Sequence, residues 1–529
     1  MGWLKDPIGK SHPKMGFTYR IMRRFTRSLM SVWFRELDIV DNENLPPEGG
    51  LMFIAWHPSG LIDPMLLHAS LPGKLSMLAK HTLFKIPLLG RLIRSAGGLP
   101  IERSKDSSDK GESRKKNAQM VSRVGSEIAQ GGRLLLFPEG KTHAGSAVSR
   151  ARSGAARIML DAIRKAEESG NAKPRVIPVG LHYSNSNKFR ERGAVILERP
   201  MELPIIPQLV EDSEVQDSND REWIKEVTNS IDSELNRASH SKTSWKDRHL
   251  IWKARSVVYA ERIMQSGGKL KKPSYSESVY GARRMRAGWE FVSKNEPEKS
   301  NRIVKDSIEH FSELDSVGLT PFDVAAKPEK PSLLGYIKAI SIWIWSAAWM
   351  LGLVTWSAVI GNVPPYQANY LLMWYLKKGK ISDSILGTMK VMSSIILFPL
   401  WWIIASLSLT WLLLSNSSPV YSLLNMHWLL AKLTLLNPIL VFLILLVWWP
   451  ISGKMHLKLY SKLVQSWRML KRWKIWRDDK HDWNSLQQKQ KSIGEQLISL
   501  GDSLVLPGDP DWVEPNTGSD DILSVKYRS

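Results

Sequence analysis

Three short stretches of this chain hold side chains whose type and spacing could do chemistry. The first is His57-Pro58-Ser59-Gly60-Leu61-Ile62-Asp63. An imidazole with one nitrogen held by a carboxylate presents the other as a general base, the base-and-orienter half of a catalytic triad. On one continuous helix, residues six apart point about 120° away from each other, so a helical His57 could not reach Asp63. Pro58 changes that: it disfavours helical torsions at the residue before it and suits the first helical position. His57 is therefore expected in a strand-to-helix turn, folded back toward Asp63. No Ser or Cys nucleophile is needed if an acceptor's own hydroxyl attacks. With 12 His in the chain such a spacing also arises by accident, and a His that merely caps a helix gives the same pattern.

The second stretch, Phe137-Pro138-Glu139-Gly140, follows an apolar run, which puts Glu139 on a loop at the C-terminal edge of a strand, where α/β sites collect. A carboxylate there could hold an acceptor hydroxyl, and Gly140 would let the backbone approach closely. Lys141, Arg150 and Arg152 follow. The third stretch runs from Gly98 to Ser104 and places Arg103 just past another apolar run. A guanidinium there offers a bidentate grip on phosphate, although in isolation it reads as a solvated surface Arg.

The elements that must position these residues are legible as period and composition. Short apolar runs at 51–56, 75–79, 98–101, 133–137 and 176–181 read as buried strands. Between them, 58–70, 113–130 and 150–168 have helical spacing, and the alternation argues for an α/β domain over 49–205 with a mixed sheet flanked by helices. Residues 206–332 are polar and helical in propensity and read as a helical lobe. In 1–48, Phe17, Ile21, Phe25, Leu29 and Trp33 recur every four residues opposite Arg20, Arg23, Arg24 and Arg27. That division predicts an amphipathic helix over 15–37 lying on a membrane.

Residues 333–453 contain three uncharged stretches, 339–361, 391–414 and 433–452, long enough to cross a bilayer core. The last two are expected to form a spanning hairpin, and the first to dip in and return. A basic, Trp-rich amphipathic helix and a disordered polar tail are expected over 454–529. Lys and Arg number 73 against 51 Asp and Glu, a formal charge of +22 that suits an anionic partner. The 23 Trp and the uncharged stretches favour membrane lipid over nucleic acid, for which no stacking motif stands in the chain. There is no Cys, which excludes disulfides, thiolate metal sites and Cys nucleophiles. The polar first 14 residues lack the apolar core of a secretory signal, so the catalytic part is expected on the cytosolic side of an integral membrane protein.

Taken together the motifs resemble the glycerolipid acyltransferase superfamily. His57 and Asp63 resemble its first block, His-X4-Asp; Gly98 to Arg103 resembles the acceptor-binding block that ends in Arg; Phe137 to Gly140 resembles the Phe-Pro-Glu-Gly block; Val176-Ile177-Pro178-Val179 resembles the fourth. Within the superfamily, Phe137 to His143, Gly180 to Arg190 and Tyr280 to Leu319 are most similar to the membrane-bound fungal-type glycerol-3-phosphate/dihydroxyacetone-phosphate acyltransferases. Thr142 stands where the second block usually has Arg, so a phosphate-binding charge would come from Lys141, Arg150 or Arg152.

The resemblance implies an O-acyltransferase of phospholipid biosynthesis with His57 and Asp63 catalytic and Arg103, Glu139, Gly140 and Lys141 binding the acceptor. The donor would be an acyl thioester, acyl-CoA or acyl carrier protein, with no metal and no cofactor. The acceptor would be glycerol 3-phosphate or dihydroxyacetone phosphate, with a lysophospholipid as the alternative. A non-catalytic membrane scaffold of the same fold is the remaining reading.

Overall fold

A computed structural model of the chain describes residues 15–101, 110–140, 147–183, 188–239, 244–378, 383–426, 435–478, 481–517 and 523–528. These divide into two compact units, one of residues up to 325 together with 486 onward, the other of 326–485.

The first unit is built on a seven-stranded sheet, β1 (Phe34–Val40), β2 (Leu51–Ala55), β3 (Leu75–Lys80), β4 (Gly98–Ile101), β5 (Arg133–Leu136), β6 (Arg175–Tyr183) and β7 (Glu191–Leu197). Their spatial order is β1-β7-β6-β2-β5-β3-β4. All neighbours are parallel except β6 and β7, which run antiparallel. β2 lies between β5 and β6, and all five of its residues are buried, which is why it is written as an unbroken apolar run. Helices α1 (Phe17–Trp33), α2 (Ile62–Ser70), α3 (Pro87–Ser95), α4 (Lys110–Ala129) and α5 (Gly154–Glu168) connect and cover the strands. Met52, Ile54, Leu134 and Val176 of the sheet pack with Val124 and Ile128 of α4 and Met159 and Ile163 of α5. A mixed sheet flanked by helices is what the pattern of the sequence implies.

Two strands and one helix go beyond that pattern. β1 begins where helix 15–37 was expected to continue: the chain turns extended at Phe34 and pairs with β7. Its alternation is weak because it lies at the edge of the sheet, and α3 is short and half-buried.

α1 also distributes its residues differently from the expected apolar and Arg faces. Tyr19, Arg23, Thr26, Met30 and Trp33 form its buried face, while Phe17, Ile21 and Phe25 are exposed together with Arg20 and Arg24. Arg23 donates to the carbonyls of Leu71 and Gly73, and Arg27 to that of Ala69 at 3.0 Å. These guanidiniums satisfy orphan carbonyls at the end of α2, and so lie inside rather than on a lipid-facing surface.

The lobe consists of α6 (Ser213–Ser239), α7 (Trp245–Gln265), α8 (Tyr275–Asn295), α9 (Pro297–Val317) and α10 (Pro321–Ala325). α7 and α8 each open with a capping box, Ser244 with Asp247 and Ser274 with Glu277. Arg192 of β7 pairs with Glu36 of β1 through two bonds of 2.5 and 2.7 Å and also reaches the carbonyl of Pro273 just ahead of α8.

The second unit contains α11 (Leu333–Met350), α12 (Leu353–Lys378), α13 (Asp383–Leu414), α14 (Pro419–Asn425) and α15 (Pro438–Arg477). Among the described residues, three helices are long and apolar enough to cross a membrane: Leu333–Met350, Leu386–Leu414 and Pro438–Arg477. The stretch 339–361, read as one, is divided between α11 and α12 at Leu351-Gly352. The expected span at 433–452 and the basic helix after it are one 40-residue helix, because neither Pro450 nor Gly453 interrupts it. Gly361 of α12 receives the indole of Trp449, which is buried. Asn362 donates to the Trp449 carbonyl at 3.1 Å, and the Trp449 indole donates to Ser406 at 2.9 Å.

The tail returns to the first unit as α16 (Trp483–Asp502), and β8 (Leu504–Val505) pairs antiparallel with β9 (Lys526–Tyr527). The expected disorder is therefore absent from the described part of the tail. Leu504 and Leu506 are buried against Ala287 and Val292 of α8, and Glu514 joins a half-buried charge cluster with Arg237 and Glu234 of α6. A composition rich in Pro, Gly and Asp concealed these few anchoring residues.

Candidate active site

The end of β2 delivers the chain into a tight loop, Trp56 to Leu61, before α2 starts at Ile62. Pro58 lies within this loop rather than at the first turn of the helix, and Gly60 takes a positive φ of 26° that a side chain would strain. His57 and Asp63 are separated by five residues, one more than His-X4-Asp, and the loop before α2 absorbs the extra residue.

The result is the folded-back arrangement expected for the pair. His57 Nδ1 is 2.8 Å from Asp63 Oδ2. The backbone N–H of Ser59 donates to the same oxygen at 2.7 Å, as a capping contact to a carboxylate in the first turn of α2. Asp63 is fully buried, whereas the His57 side chain keeps 16% of its surface open. Its ring stacks on Phe137 at 4.2 Å between centroids. Among the described residues nothing bonds His57 Nε2, so the Nδ1–H tautomer enforced by Asp63 leaves Nε2 as a proton acceptor on the open side.

Burial raises the Asp63 carboxyl above its ordinary range, and hydrogen bonds from His57, Tyr183 and Ser59 oppose that rise. The Tyr183 hydroxyl at the end of β6 donates to Asp63 Oδ1. Sequence reasoning did not single out Tyr183 as a site residue. The only local signal is its place directly after an apolar run, at the same sheet edge as His57.

Glu139 is in the site but turned away from it. Its Oε1 accepts the backbone N–H of His57 and its Oε2 that of Ser149, both at 2.8 Å, and the side chain is buried. The carboxylate thus ties the His57 loop to the loop before α5. Gly140 adopts φ 65°, and a Cβ there would stand 3.0 Å from Arg152 Nε, so its freedom serves the turn and the Arg152 side chain. Arg150 and Arg152 are exposed on this loop. Arg103 and Lys141 lie outside the described residues.

Residues 36–182 match the family model described as Acyltransferase. Over 297 residues the chain is 25% identical to glycerol-3-phosphate O-acyltransferase 1 of Saccharomyces cerevisiae, a match covering 55% of this chain and 37% of the yeast protein. The crystal structure of the 1-acyl-sn-glycerophosphate (LPA) acyltransferase PlsC from Thermotoga maritima overlaps 40% of this chain and 78% of that one, with 16% identity and a TM-score of 0.26. The matched segment holds the His57–Asp63 pair, the Phe137 to Gly140 loop and the six strands from β1 to the body of β6. With these motifs in place, residues 36–182 carry an acyltransferase domain.

Proposed function

We propose that this protein transfers a fatty acyl group from an acyl thioester to a hydroxyl of glycerol 3-phosphate or dihydroxyacetone phosphate. The observation that carries this reading is the His57 imidazole, held through Nδ1 by a buried carboxylate with Nε2 open at the C-terminal edge of the sheet. His57 Nε2 removes the acceptor's hydroxyl proton as that oxygen bonds to the thioester carbon. The tetrahedral intermediate collapses by breaking the C–S bond, and the departing thiolate takes the proton from the imidazolium. Asp63 stabilises the imidazolium while it exists. General-base help of this kind is worth roughly 10²–10⁴-fold. A thiolate is a good leaving group, so the chemistry calls for neither metal nor cofactor.

The name of the yeast relative favours glycerol 3-phosphate as acceptor. In this reading Arg103, Lys141 and the exposed Arg150 and Arg152 supply the charge that meets the acceptor phosphate. Acyl-CoA is the expected donor, with acyl carrier protein as the other thioester to try. The three apolar helices hold the protein in a membrane, with the acyltransferase domain on the cytosolic side. The exposed Phe17, Ile21 and Phe25 beside Arg20 and Arg24 rest on the lipid surface.

Purified full-length protein with labelled acyl-CoA and a panel of acceptors tests this reading. Label in an acylated glycerol phosphate, lost in His57→Ala, is the expected result. Transfer only to lysophospholipids reassigns the acceptor, and no transfer to any acceptor from either donor refutes the catalytic reading.

A further inference from the structure

We infer that Tyr183 is a positioning residue for this reaction, holding the carboxylate that orients the His57 base. The inference rests on the proposed role of His57 and extends the site by one residue, directly beyond the segment that matches the family model.

The argument begins with what a buried carboxylate needs. An ionised Asp side chain can accept about four hydrogen bonds, and one removed from water is costly unless its oxygens are met by donors. Asp63 is fully buried. Both donors on Oδ2, His57 Nδ1 and the Ser59 N–H, belong to the loop that Asp63 has to fix. Held by that loop alone, the carboxylate could turn about Oδ2 and carry the imidazole with it. Tyr183 supplies the donor on Oδ1, and it comes from the end of β6, a strand paired on both sides within the sheet. A carboxylate gripped on both oxygens from two different elements has a fixed plane, and so does the His57 ring bonded to it.

The neighbours of this hydroxyl keep it a donor. Burial and the Asp63 charge push the Tyr183 phenol well above its usual range, against the pull of Arg248 from α7, so it stays protonated throughout the working pH range. The Tyr183 ring packs beside Phe34, 6.3 Å between centroids. A core tyrosine that merely uses a convenient acceptor would show the same contact, so the test must read the carboxylate itself.

Tyr183→Phe keeps the ring and removes the donor. In full-length protein assayed with labelled acyl-CoA and whichever acceptor the wild type uses, kcat should fall roughly 10- to 100-fold, as for loss of a hydrogen bond to a charged group. Both KM values should hold. The acid limb of the rate profile should move to higher pH, because Asp63 without its Oδ1 donor protonates more readily. Unchanged kcat and an unmoved acid limb overturn the inference. So does a lost rate that accompanies a collapsed melting temperature with no movement of the limb, which marks a purely structural tyrosine.

Should the wild type be inactive on every acceptor, the functional reading fails, yet the geometry is still testable. The rate of His57 modification by diethylpyrocarbonate, followed on its own peptide, should change in Tyr183→Phe. An identical rate and pH dependence overturns the role of Tyr183.

Discussion

Removing the imidazole in His57→Ala takes away the only proposed base, so kcat should collapse while the chain still folds and binds donor, as acyl-CoA titration would show. Asp63→Asn keeps the ring and loses both its orientation and the countercharge, so a smaller though still large loss of kcat is expected. Arg103→Ala belongs to a different step. It should raise acceptor KM by an amount typical of a charge-assisted contact, about 1.5–3 kcal/mol, with donor KM unchanged. A change confined to donor KM would instead assign Arg103 to the phosphates of coenzyme A.

Glu139 divides two roles just as sharply. Its oxygens both face backbone N–H groups. Glu139→Gln should therefore set an amide N–H against one of them, costing about 1–3 kcal/mol, seen as a lower melting temperature and a lower kcat with acceptor KM unmoved. A selective rise in acceptor KM would restore the hydroxyl-binding role.

At the scale of elements, α1 docks on α2 through a buried neutral histidine. His68 Nδ1 is 2.9 Å from Thr26 Oγ1 and the ring meets Tyr19 edge-on. Burial, with Arg23 and Arg27 beside it, lowers the His68 pKa from 6.5 to about 3. An unfolded chain takes up a proton below pH 6.5 that the folded chain refuses. Stability should thus be complete above about 6.5 and decline as pH falls toward 3. His68→Asn, neutral throughout, should flatten the melting temperature between pH 7 and 5, and an equally steep decline would discount His68 as the cause.

The same scale shows what the sequence could and could not reveal. Five strands were legible because buried parallel strands are written as apolar runs, and the His57 turn because Pro58 disfavours helical torsions at His57. β1 and β7 escaped because an edge strand and its neighbour gain their order from pairing that no single run encodes. Glu139 escaped because a motif marks a residue without telling which way its carboxylate turns, and Tyr183 because its partner Asp63 is 120 residues away.

In the second unit, packing is set by glycine. A Cβ at Gly361 would come within 2.4 Å of Trp449 Cε3, a rigid ring with no room to move. Gly361→Ala should therefore cost about 1–3 kcal/mol of stability in detergent, and Trp449→Ala should relieve part of that in the double variant.

For the whole molecule, the distribution of charge predicts which side of a membrane each segment would face. Residues 362–390 carry Lys377, Lys378, Lys380 and Lys390 against Asp383, and 454–480 carry nine Lys and Arg against two Asp. Residues 415–431 carry no Lys or Arg. Positively charged flanks stay in the cytosol, so 362–390 and 454–480 are expected there and 415–431 on the far side, with 391–414 and the apolar half of α15 crossing between them. Such a count survives the merging of span and basic helix into α15, because the rule reads charge near a membrane boundary and not where a helix stops. It also needs α11 and α12 to cross the membrane an even number of times or to dip and return. The chain has no Cys, so single-cysteine labelling carries no background. In sealed, correctly oriented vesicles, Ser382→Cys should react with a membrane-impermeant maleimide only after permeabilisation, and Ser417→Cys before it. Labelling of Ser382→Cys from the outside would reverse the hairpin and, with it, the assignment of the basic segments to the cytosol.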